Sequence, residues 1–143
     1  MADKPRIFFA QPVDYIDNDA VVESVNNVRK LLCNLPVEIV APYCYEDWYA
    51  LPVDRDLAKS IVKKDIETID SCDIILVDIS REDRQAIGII FEMAYSWFRG
   101  NKKIIVYVGE STIANRVWIS AVAHRICYSW EDVLVAIEGY LKA

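Results

Sequence analysis

The run Asp73-Ile-Ile-Leu-Val-Asp78 constrains this chain more than any other segment. Its apolar residues are consecutive, with no polar residue facing the other way. Such a strand is buried on both faces, as strands are inside a parallel sheet. Strand-like runs recur at Ile7–Ala10, Val37–Val40, Lys103–Val108 and Arg125–Tyr128. Helix-period segments separate them. Asn18 or Asp19 is placed to cap a helix reaching about Asn34, with Val21, Val22, Val25, Val28, Leu31 and Leu32 on one face. Asp56–Ser71, Ala86–Phe98, Thr112–Ala123 and Ser129–Lys142 read as further helices. Strict alternation of strand and helix predicts an α/β fold, doubly wound and flavodoxin-like. It has a five-stranded parallel sheet with helices on both faces. With 143 residues and no linker or repeat, residues 1–143 are expected to form one domain.

In such folds ligands bind at the carboxyl ends of the strands, near the point where strand order reverses. The loops after Phe9, Val40, Val77 and Val108 are therefore the candidates. Tyr43–Pro52 carries four aromatics without a period. It is either a loop packed on itself or the wall or lid of a pocket. Acidic residues gather near these loops, among them Asp65, Asp73, Asp78 and Glu92. Glu92 stands out because its neighbours in Ala86-Ile-Gly-Ile-Ile-Phe-Glu-Met-Ala-Tyr95 are almost all apolar. A carboxylate in such a run either reaches solvent or is held for a purpose.

The remaining composition narrows the function. A net charge of −6 lacks the cationic footprint that long nucleic acid requires. Cys33, Cys44, Cys72 and Cys127 form no CxxC pair, and His124 is the single histidine. No metal site is expected from that inventory, and the thiols fit a reduced, cytoplasmic protein. No signal peptide or long apolar run points to export or a membrane. The glycine patterns of dinucleotide and P-loop sites are missing, and no cofactor is expected. A receiver-type phospho-acceptor at Asp78 would need an acidic pair after the first strand, where Ala10-Gln11-Pro12 stands instead.

Taken together, Asp73-Ile-Ile-Leu-Val-Asp78, Gly88-x-x-x-Glu92-x-x-Tyr95 and Asn101-Lys-Lys-Ile-Ile-Val106 resemble the core of the nucleoside 2-deoxyribosyltransferase family. That family is related to the 2'-deoxynucleoside 5'-phosphate N-hydrolases. The opening Ile7-Phe-Phe-Ala-Gln-Pro12 is similar to the family's first strand, which often ends Ala-Gly-Pro. The resemblance implies that Glu92 is the nucleophile attacking the anomeric carbon. It implies that Asp65, eight residues before Asp73, is the acid serving the leaving base. Phe8 falls where relatives line the sugar. Asn115 falls where transferases reach the sugar 5' end of a neighbouring subunit. Gln11, Asp78, Arg84 and Gly88 complete the expected substrate-binding set. The implied partners are a small nucleoside or nucleotide and further copies of the chain, in a homo-oligomer with shared active sites.

One departure bears on the substrate. Transferases of the family carry an acidic residue six positions before the nucleophile, where it holds the sugar 5'-hydroxyl, and the nucleotide hydrolases carry a Ser. Here the position is Ala86. Asp83, Arg84 and Gln85 stand next to it, and Arg84 would suit a phosphate. The expected activity is cleavage of a (deoxy)nucleoside N-glycosidic bond with transfer to an acceptor base. The alternatives are a nucleoside 5'-monophosphate hydrolase and a nucleotide-binding module without turnover.

Overall fold

The computed structural model describes residues 3–13, 16–41 and 54–143. The aromatic stretch Tyr43–Pro52 and Cys44 lie outside the described residues. The elements are β1 (Arg6–Ala10), α1 (Asn18–Leu31), β2 (Glu38–Val40), α2 (Arg55–Asp70) and β3 (Ile74–Asp78). They continue with α3 (Ile87–Arg99), β4 (Lys103–Tyr107), a 3-10 turn (Thr112–Asn115), α4 (Val117–Val122), β5 (Arg125–Cys127) and α5 (Trp130–Leu141). The strands form one five-stranded sheet, all parallel, in the order β2-β1-β3-β4-β5. The expected doubly wound α/β fold is the observed one.

The continuous apolar strands still obey a two-residue period, because each face of the sheet has its own core. Phe8, Ala10, Ile75, Val77, Ile104 and Val106 pack with Ile69, Ile89, Met93 and Ile119 beneath α2, α3 and α4. Ile7, Phe9, Ile74, Leu76 and Ile105 pack with Val25, Val28, Val133 and Ile137 beneath α1 and α5. A fully buried side chain of this size contributes about 1.5–3 kcal/mol.

Each helix differs from the sequence reading by at least a residue at an end, and Val22 and Leu31 of the expected α1 face are exposed. Three differences have a visible local cause. The cap of α1 is Asp17, whose carboxylate accepts from the Asp19 N–H, and the helix ends at Leu31 rather than Asn34. Helix α2 begins one residue early because Asp54 accepts from the N–H groups of Asp56 and Leu57. The expected single helix Thr112–Ala123 is two pieces. Arg116 takes extended dihedrals (φ −75°, ψ 135°), and its N–H closes the 3-10 turn on the Ile113 carbonyl. His124 is structural: its Nδ1 accepts from the Ile104 N–H at 3.0 Å, and burial pushes its pKa down.

Candidate active site

Strand order places β2 and β1 on one side of the chain's reversal and β3 on the other. A cleft of about 530 Å³ opens at that switch point, beyond the carboxyl end of β1. Its floor is Gln11-Pro12-Val13. Helix α2 forms one wall with Ile61, Val62, Asp65, Ile66 and Ile69, and α3 the other with Gly88, Ile89, Phe91, Glu92 and Tyr95. Asp65 sits four residues after Ile61 and four before Ile69, which puts all three on one helix face. Gly88 and Glu92 are related in the same way on α3.

The cleft thus brings together Asp65, Glu92, Gln11 and Gly88. Asp65 and Glu92 are partly buried, and Glu92 Oε2 lies beneath the surface. Gln11 is buried, and its Nε2 donates to the Val21 carbonyl at 3.2 Å, which orients the amide. A Cβ built on Gly88 meets nothing within 4 Å, so packing does not require the glycine there. Its lack of a side chain leaves open space in the cleft beside Glu92.

Other expected site residues lie elsewhere. Phe8 has no exposed surface and belongs to the core beneath α2 and α3. Its even place in the strand period turns it into that core, so it does not line the cleft. Asp78 lines neither the cleft nor the pocket beside it. Its Oδ1 accepts from the Ser80 N–H at 3.0 Å and hydroxyl at 2.6 Å, which shapes the loop leaving β3. Asn115 is exposed at the end of the 3-10 turn.

Arg84 lines a separate pocket of about 290 Å³, with Arg81, Arg116, Ala86 and Thr112 around it and Pro12 shared with the main cleft. Arg81 is paired with Asp83 at 2.9 Å. Glu82 ties the two loops that frame this pocket, accepting from the Thr112 N–H (2.7 Å), the Thr112 hydroxyl (2.9 Å) and the Ser111 hydroxyl (3.1 Å). Those bonds, the backbone one first, hold its carboxyl below the ordinary glutamate range. Helix α3 starts at this pocket without a side-chain cap or an acid in its first turn. Its first N–H groups and the positive end of its dipole therefore face an arginine-lined space. Arg81 and Arg116 carried no signal of their own in the sequence. Arg81 shares a turn with Arg84, and Arg116 joins them only through the pairing of β3 with β4.

Among the described residues there is no group of three potential metal ligands, and no helix is long and apolar enough to cross a membrane.

A parallel α/β sheet with two carboxylates on facing helices at its switch point defines a flavodoxin-like domain with an acid-pair cleft. The nucleoside 2-deoxyribosyltransferase family model matches residues 7–127, and the chain belongs to that family. The fold is similar to the 2-deoxyribosyltransferase of the psychrotolerant bacterium Bacillus psychrosaccharolyticus, with a TM-score of 0.66, 19% identity and 90% of each chain covered. It is similar to a conserved protein of Enterococcus faecalis V583, with a TM-score of 0.62 and 18% identity over 96% of this chain and 99% of that one. A 3-dehydroquinate dehydratase-like protein of Bifidobacterium longum has a TM-score of 0.52 and 10% identity over 97% and 98%. No curated protein sequence matches.

Proposed function

We propose that this chain cleaves the N-glycosidic bond of a deoxynucleoside and passes the deoxyribosyl group to an acceptor base. The observation carrying this reading is that Asp65 and Glu92, from two different helices, line one cleft at the switch point of the sheet. A Glu92 carboxylate oxygen attacks the anomeric carbon as its bond to the base nitrogen breaks. The bonding pair leaves with the base, and Asp65 supplies the proton that neutralises it. The resulting glycosyl ester on Glu92 is opened by the nitrogen of a second base, whose N–H proton passes to Asp65 as the Glu92 carboxylate is restored. The apolar walls from α2 and Phe91 suit a planar base and keep water from competing.

A second reading, hydrolysis of nucleoside 5'-monophosphates, is favoured by the arginine-lined pocket beside Ala86. Ala86 removes the acid that would face the sugar 5' end, and Arg81, Arg84 and Arg116 outnumber the Glu82 carboxylate around the pocket; guanidinium groups bind phosphate with charge-assisted hydrogen bonds. We further propose a homo-oligomer. Phe91 (74% exposed), Phe98 (78%) and Trp118 (77%) leave an apolar surface on α3 and α4 that association would cover. Asn115 lies two residues before α4, at the border of that surface. Among the described residues, Cys33, Cys72 and Cys127 are free thiols, which supports a cytoplasmic setting.

One experiment tests these readings. The protein is incubated with each deoxynucleoside and its 5'-monophosphate, with and without an acceptor base, and free base and exchanged nucleoside are quantified. Exchange is the expected result. Free base from monophosphates only, lost in Arg84→Ala, would establish the hydrolase reading instead. Binding without turnover would mean a silent module. Light scattering at micromolar concentration reads the assembly, and a fully active monomer would refute it.

A further inference from the structure

Helix α2 has 16 residues but buries only Ile69, near its last turn. Its partly buried Ile61, Asp65 and Ile66 line the cleft. What fixes its direction is concentrated at its carboxyl end. The buried Lys102 (4% exposed) sends Nζ to the carbonyl oxygens of Cys72 at 2.7 Å and Asp70 at 3.3 Å. Arg6 Nη1 donates to the Ser71 hydroxyl at 2.6 Å. These bonds tie the helix end to the sheet. A different bond ties it to α3: the Tyr95 hydroxyl donates to Asp70 Oδ1 at 2.8 Å. Arg99 Nε reaches the same oxygen at 3.2 Å.

We propose that Tyr95 and Asp70 are a positioning pair that sets the gap between Glu92 and Asp65. The proposal rests on the reading of those two carboxylates as the catalytic pair. Tyr95 follows Glu92 by one turn, about 4.5 Å along α3, and Asp70 follows Asp65 by about 7.5 Å along α2. The hydrogen bond therefore joins the helices close to the point where their carboxylates face one another. It acts on a helix with little else buried to hold its angle. The bond is charge-assisted, but Asp70 is exposed, so the bond and the Arg99 pair act by fixing geometry more than by adding stability. The bond to Asp70 pushes the Tyr95 phenol above its usual range. Tyr95 also lines the cleft with its ring, which a Tyr95→Phe change keeps.

The test is a kinetic cycle with an exchange measurement beside it. Tyr95→Phe should lower kcat roughly 10- to 100-fold, the scale of a small misplacement of reacting groups. KM should change by less than about twofold, and the pH profile of kcat should shift as the two carboxylates move. Asp70→Asn keeps an oxygen acceptor without the charge and should lose less than Asp70→Ala. Asp70→Ala should match Tyr95→Phe, and the double variant should be no worse than either. An unchanged kcat and pH profile in Tyr95→Phe overturns the proposal. So do losses that multiply in the double variant, because Tyr95 would then act without Asp70. Hydrogen exchange of peptides from α2 reads the pair without turnover. Faster exchange there in Tyr95→Phe supports it, and identical exchange overturns it. Wild-type protein inactive on every nucleoside and nucleotide overturns the functional reading, and the exchange result then decides the pair by itself.

Discussion

Helices α2 and α3 each bring one carboxylate to the cleft, but the sheet holds them differently. Helix α3 buries Ile89, Met93 and Ser96, a stripe that runs its length, and the Ser96 hydroxyl bonds the Glu92 carbonyl at 2.7 Å. Helix α2 buries one residue at one end. Glu92 thus stands on an embedded element, and Asp65 on a helix anchored at its carboxyl terminus. Under the proposed chemistry this division has a logic. The nucleophile always meets the same anomeric carbon, whereas the acid meets whichever base departs. A fixed nucleophile gains from rigid support. An acid on a less embedded helix tolerates bases of different outline.

The sharpest way to break this contrast is Glu92→Gln. It preserves shape and removes the attacking anion, so kcat should drop by roughly four orders of magnitude with the melting temperature unchanged. Full activity in this variant on any accepted nucleoside would end the assignment. Asp65→Asn comes next, with an expected loss of roughly 10²- to 10⁴-fold on natural substrates. The loss should shrink on substrates with activated leaving groups, which need less protonation. Equal factors on both would remove the acid role.

Stability separates the two helices without reference to any reaction. Met93→Ala on α3 should cost about 2–5 kcal/mol in urea unfolding, because it empties a fully packed site. Val62→Ala on α2, where the side chain is 56% exposed, should fall within about 0.5 kcal/mol of wild type. Comparable losses would mean that α2 is as embedded as α3.

The smallest effect concerns how the chain enters α3. Glu82 is held below the ordinary glutamate range by the Thr112 backbone and by the Thr112 and Ser111 hydroxyls. A depressed folded-state pKa stabilises above the unfolded-state value, and that stabilisation is lost as pH falls through the folded-state pKa. Melting temperatures of wild type and Glu82→Gln should therefore differ slightly at neutral pH and converge in acid. A constant difference across that range would show that the charge is not what Glu82 contributes.

Much of this architecture was legible because parallel strands leave an unmistakable mark. Runs such as Ile74–Val77 have no polar face, and the segments between them carry helical spacing. The order of elements followed from that alone, and Glu92 was visible as an acid in an apolar run. Helix ends were less legible, since Asp17, Asn18 and Asp19 are all competent caps and the winner depends on backbone direction. The break at Arg116 is a dihedral choice with no glycine or proline to announce it. Phe8 illustrates a limit of analogy: its strand position was right, but the period-two geometry sends its ring into the core. The pocket of Arg81, Arg84 and Arg116 draws on loops about thirty residues apart. Only the adjacency of β3 and β4 brings them together.

The strand order also dictates when the sheet is completed during synthesis. Strand β1 lies between β2 and β3, and its partner on the second side begins at Ile74. Once β2 has emerged from the ribosome, the first hydrogen-bonded pair is available. The other edge of β1, a row of unsatisfied amides and carbonyls flanked by Phe8 and Phe9, stays open until residues 74–77 follow. At about 5–20 residues per second that interval lasts roughly two to seven seconds. Throughout it the nascent chain carries an apolar, pairing-competent edge of the kind that templates misassociation. The same centrality that places the floor of the cleft at the end of β1 therefore makes the molecule's earliest strand the one that waits longest for its neighbour.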